Sequence, residues 1–103
     1  MADFEEIASI DDFAEADRLE VFVDDIPVLL IRLQNQYFAI EDVCTHDGQP
    51  LTDGCIEGGA IVCPRHGARF DLQTGKALCM PATKPVRTFE IEVRDNRIYA
   101  RSQ

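Results

Sequence analysis

The sequence predicts an all-β fold, a small antiparallel β-sandwich or barrel. Short runs of strand chemistry are separated by frequent turns, and only one helical turn is signalled. The length of 103 residues leaves room for a single domain over residues 1–103. A composition 46% hydrophobic and 28% charged is that of a globular chain with enough apolar surface to bury.

In chain order, the first signal is Ser9 with Asp12 three residues on, the pattern of a capped helical turn. Leu19, Val21 and Val23 alternate with Glu20, Phe22 and Asp24, which predicts a strand with one face inward. Ile26 to Leu33 is nearly continuous in apolar residues, as in a strand covered on both faces. Gln34-Asn35-Gln36 breaks the run and Tyr37 to Ile40 resumes it, so the two segments read as a hairpin. Phe89, Ile91 and Val93 alternate with Glu90, Glu92 and Arg94; Asp95-Asn96 turns the chain, and Ile98-Tyr99-Ala100 returns as the partner. Between these hairpins, residues 42–85 hold all four cysteines, both histidines and most of the Gly and Pro. Loops on a rigid β scaffold carry function, so the chemistry is expected there.

Charge narrows the function classes. The formal net charge of −9 excludes a nucleic-acid binder driven by phosphate neutralisation and argues against anionic membrane surfaces. Thirteen acids and two bases fall in residues 1–50, six acids and eight bases in the rest. The runs Glu5-Glu6, Asp11-Asp12 and Asp24-Asp25 read as solvated faces, and the net charge would speed association with a basic partner. The longest apolar run, Ile26 to Ile31, falls far short of the roughly 20 residues a spanning helix needs. The acidic start lacks the order of a signal peptide, so the expected compartment is the cytoplasm. Thiols stay reduced there, which points the cysteines toward metal binding or catalysis before disulfides.

Cys44-Thr45-His46 is a C-x-H pair and Cys63-Pro64-Arg65-His66 a C-x-x-H pair, with sixteen residues between His46 and Cys63. Two loops meeting at their tips would offer two sulfurs and two nitrogens to one site. Such a donor set suits zinc or an iron–sulfur cluster. Zinc fingers usually pair Cys with Cys and His with His along the chain. Here each loop supplies one of each, which suits a two-iron cluster with Cys on one iron and His on the other. Replacing two thiolates by neutral imidazoles makes such a cluster easier to reduce than a four-Cys one. Gly48, Gly54 and Gly67 lie near these residues, where tight turns need them.

The paired motif at this spacing resembles that of Rieske [2Fe–2S] proteins, and the flanking strands resemble the small Rieske domain, with its cluster-binding subdomain built from loops. The resemblance implies one [2Fe–2S] cluster, Cys44 and Cys63 on one iron, and His46 and His66 on the other through Nδ1, near the surface. High-potential members carry a disulfide between the two cluster loops; the matching positions here are Gln49 and Arg65. They also carry a Ser and a Tyr that donate to sulfur, where this chain has Ala68 and Phe70, which cannot donate. Without those donors the electron-rich state is less stable, so a low potential is expected. The stretch Pro81-Ala82-Thr83-Lys84-Pro85-Val86 is similar to that of ferredoxins serving non-haem iron oxygenases.

The function implied is one-electron transfer from an NAD(P)H-dependent flavin reductase to a terminal non-haem iron oxygenase, with no catalytic residue and no substrate chemistry of its own. The alternatives are a Rieske subunit of a nitrite reductase or of iron–sulfur assembly and, from another class, a structural zinc-binding module. Cys55 and Cys79 match no ligand position and read as ordinary thiols; a bridge between them is disfavoured in a reducing compartment. Gly54, Gly58 and Gly59 read as turn residues, since no P-loop Lys accompanies them, and Asp71 to Gly75 reads as a further turn. Pro81 is expected to cover the cluster. Arg65 and Arg69 either steer an acidic partner, the slightly favoured reading, or sit in water near acids.

Overall fold

The structure, a computed structural model, describes residues 3–45, 48–65, 67–80 and 84–102. Among these residues, ten strands form two antiparallel sheets. The larger contains β1 (Glu5–Ser9), β2 (Arg18–Val23), β3 (Ile26–Leu33), β4 (Gln36–Glu41), β9 (Thr88–Arg94) and β10 (Arg97–Ser102), in the order β1-β10-β9-β4-β3-β2. Its edges curl toward each other: the Asp24 N–H, just past β2, donates to Glu5 Oε1 of β1 at 3.1 Å. The sheet is therefore close to a barrel. The smaller sheet is a meander of four three-residue strands, β5 (Cys55–Glu57), β6 (Ala60–Val62), β7 (Arg69–Asp71) and β8 (Ala77–Cys79).

Turn chemistry sets the register. Asp24-Asp25, Gln34-Asn35, Gly58-Gly59 and Asp95-Asn96 each close a hairpin with both central residues at positive φ. That is the two-residue turn whose twist matches the strands, and Asp, Asn and Gly enter it at little cost. Asp24-Asp25 thus serves as a turn as well as a solvated acidic pair. Ser9 caps a 3₁₀ turn over Ile10–Phe13 as its spacing predicts: its Oγ accepts from the Asp11 N–H, and Asp12 Oδ2 accepts from the Ser9 N–H at 2.8 Å.

Strand β3 is buried on both faces, as its unbroken apolar run predicts. Val28 and Leu30 point into the barrel with Phe13, Val23, Ala39, Phe89 and Ile98. Leu29 and Ile31 point the other way, into a second core with Ile40, Leu51, Ile61, Phe70, Leu72 and Val86. The second core joins the small sheet to the outer face of the barrel. Five strands escaped the sequence reading. Strand β1 hides its only buried residue, Ala8, among acids, and the three-residue strands β5–β8 are too short to show alternation.

The β7–β8 turn is held by the Asp71 carboxylate, which accepts from the Thr74 N–H and hydroxyl at 2.9 and 2.8 Å. Gly75 closes it at φ +78°, where a Cβ would stand 2.1 Å from the Val86 carbonyl oxygen. Gly59 shares that φ but faces open space. Gly75→Ala should therefore cost clearly more than the about 1 kcal/mol expected of Gly59→Ala from backbone strain alone. Thermal unfolding of both variants measures the difference; equal losses would show that the close approach at Gly75 contributes nothing.

Candidate metal centre

Two loops carry the cysteines of the paired motif, and they share one hydrogen-bonded frame. In the first, the Cys44 N–H donates to the Gln49 carbonyl at 2.7 Å and the Gly48 N–H to the Cys44 carbonyl at 2.7 Å. In the second, the Cys63 N–H donates to the Ala68 carbonyl at 2.7 Å and the Gly67 N–H to the Cys63 carbonyl at 3.1 Å. Both glycines have φ +76°, a conformation that side chains disfavour. The frames match residue for residue, so the one-residue difference between C-x-H and C-x-x-H is a difference in where histidine falls inside equal loops.

Cys44 and Cys63 both lie in the second core, 0% and 1% exposed, and all four cysteines are thiols rather than disulfides. His46 and His66 lie outside the described residues, as does Pro81 with its expected covering role. The structure thus brings two of the four candidate ligands into one apolar core. Among the described residues, no group of three or more metal-ligating side chains is gathered. Two buried thiols on paired, stiff loops fit a metal centre, because a thiolate without a cation is costly in apolar surroundings.

The loops are fastened from outside. Asp42, just past β4, accepts from the Leu51 N–H at 2.7 Å and from the Thr52 hydroxyl. Arg18 of β2 donates to the Thr52 carbonyl at 2.7 Å and to that of Gly54. The Thr45 hydroxyl donates to the Lys84 carbonyl at 2.7 Å, tying the first loop to the segment that enters β9. That segment is held in turn by Val86 N–H to Gly75 carbonyl at 2.8 Å and Glu41 N–H to Arg87 carbonyl at 2.9 Å. Asp42, Arg18 and Thr45 were not singled out in the sequence; an acid two residues before Cys44 was the available signal for the first.

The arginines flanking the second loop have partners within the chain. Arg69 pairs with Glu57 at 3.0 Å. Arg65 reaches the Pro50 carbonyl at 3.3 Å and the Cys63 sulfur at 3.6 Å. Cys55 and Cys79 are separated by the meander, since Cys55 pairs with Val62, Val62 with Arg69 and Arg69 with Cys79. Three strand spacings of about 4.8 Å place them about 14 Å apart, twice the reach of a disulfide. Cys79 Sγ instead lies 3.4 Å from the Gly67 carbonyl as a weak donor.

The profile of the Rieske [2Fe–2S] domain matches residues 3–90. The chain belongs to the Rieske [2Fe–2S] domain family, whose cofactor is one [2Fe–2S] cluster. It is 37% identical over 91 residues to the ferredoxin component of the naphthalene 1,2-dioxygenase/salicylate 5-hydroxylase systems of Ralstonia sp., covering 88% of each chain. Its fold matches the ferredoxin of carbazole 1,9a-dioxygenase from Nocardioides aromaticivorans IC177, with a TM-score of 0.90, 26% identity, and coverage of 99% of this chain and 100% of that one. It also matches a chain in a complex of reduced oxygenase and oxidized ferredoxin of carbazole 1,9a-dioxygenase, with a TM-score of 0.85, 30% identity, and coverage of 97% and 95%.

Ala68 and Phe70 are fully buried beside Cys63, in the core and without a hydroxyl. Ala68→Ser should raise the midpoint potential, because a hydroxyl there can donate to negative sulfur. The same hydroxyl should destabilise the metal-free protein by about 1–3 kcal/mol, as a buried donor without an acceptor. Voltammetry and denaturant unfolding check the two signs; an unchanged potential would refute the account of positions 68 and 70.

Proposed function

We propose that this chain is the ferredoxin component of a non-haem iron oxygenase system, with Cys44, His46, Cys63 and His66 as the four cluster ligands. It takes one electron from an NAD(P)H-dependent flavin reductase and delivers it to the terminal oxygenase, in the cytoplasm. The bound cluster supplies a one-electron couple. The chain's own residues do the rest. Cys44 and Cys63 offer thiolates from a dry core, and Asp42, Arg18 and Thr45 hold the loops in place.

The observation that carries this reading is the matched pair of loop frames with both cysteines buried between them. Near-complete mutual coverage with dioxygenase ferredoxins supports the ferredoxin reading. No helix among the described residues is long and apolar enough to cross a membrane. Leu78 and Met80, on either side of Cys79, leave apolar side chains 50% and 72% exposed beside the second loop, the kind of surface that a protein partner covers.

The test is anaerobic electron transfer with a reductase and an oxygenase from a ring-hydroxylating system. NADH with the reductase should reduce the protein, and adding the oxygenase should reoxidise it. Rates should fall as salt rises, since the chain carries −9. A protein that dithionite reduces but that neither partner reduces or reoxidises faster than buffer would contradict the assignment.

A further inference from the structure

Arg65 is exposed, yet its guanidinium is committed at both ends of one contact. Its Nη2 donates to the carbonyl of Pro50, at the exit of the first cysteine loop, and lies 3.6 Å from the Sγ of Cys63 in its own loop. Taking Cys63 as a cluster ligand, as the proposed function does, we propose that Arg65 is a positioning residue for the metal centre. It clips the two loops together and sets a fixed positive charge against the Cys63 sulfur, which raises the reduction potential and slows loss of the cluster.

The physical reasons are separate. An arginine stays charged across the whole working pH range, so its field on the sulfur is constant. Reduction adds one negative charge to the centre, and a cation beside a ligand sulfur lowers the energy of that state more than of the oxidised one. The side chain is open to solvent, so the effect is partly screened and should shrink with salt. The clip acts differently. The two loops come from distant parts of the chain, and a hydrogen bond between them opposes the splaying that releases a cluster. Arg69 provides the internal comparison. It lies four residues further on and is held by Glu57 at 3.0 Å rather than against a cysteine sulfur, so its removal should leave the potential in place.

The experiment uses the full-length holoprotein with Arg65→Gln, Arg65→Lys, Arg65→Leu and Arg69→Gln. Midpoint potentials are measured at low and high salt, and bleaching of the visible absorbance is followed under excess chelator. Arg65→Gln keeps a donor but no charge. It should weaken electron affinity by about fivefold to tenfold at low salt, tenfold being about 59 mV for a one-electron couple. Arg65→Lys should restore most of that affinity. Arg65→Leu loses charge and clip together and should also bleach several-fold faster than the parent. Arg69→Gln should match the parent. An Arg65→Gln protein with the parent's potential overturns the proposal, as does an Arg69→Gln protein that shifts equally. The EPR spectrum of the reduced parent separates this failure from a deeper one. With a mixed-ligand signal present and no shift at Arg65, this proposal alone falls; with no such signal, the ligand assignment falls and takes the proposal with it.

Discussion

Burying two cysteine sulfurs in an apolar core is the constraint on which the rest of the structure turns. A neutral thiol is at ease there, but a thiolate is not, and a metal centre needs the thiolate. The chain meets this with two loops of equal backbone frame, each closing on its own cysteine through one N–H given and one carbonyl hydrogen bond received. The frames leave little freedom for the sulfurs, so the ordering cost is met when the protein folds rather than when the metal arrives.

The scaffold follows from that need. Strand β3 gives Val28 and Leu30 to the barrel interior and Leu29 and Ile31 to the core beneath the loops, so one strand anchors both. Asp42, Arg18 and Thr45 then tie the loops to β4, β2 and the entry to β9. Arg18 lies far from the cysteines in sequence but acts on the segment that links the first loop to the small sheet. An electron carrier benefits from such stiffness, because a site that moves little on changing charge reorganises little.

Much of this was legible in the sequence, for identifiable reasons. The two-sided burial of β3 was written in its unbroken apolar run, the Ser9 turn in its capping spacing, and the terminal hairpin in the alternation around Asp95-Asn96. The family and its cluster were legible because ligand chemistry limits the residue types and their spacing; of the four expected ligands the structure describes Cys44 and Cys63. The short strands β5–β8 were not, because three residues cannot display a period, and Asp24-Asp25 read first as charge although its geometry is that of a turn. Arg65 read as a surface cation, slightly favoured to steer a partner; its reach to Pro50 is a contact between distant segments, which no local pattern encodes.

The most direct test of the central claim is pulsed EPR on the dithionite-reduced protein. Two cysteines and two histidines on one [2Fe–2S] cluster predict a reduced-cluster signal with hyperfine coupling to two directly bound imidazole nitrogens, one of which disappears or changes in His66→Ala. A reduced cluster without bound nitrogen, or a colourless protein that holds zinc, would contradict the account.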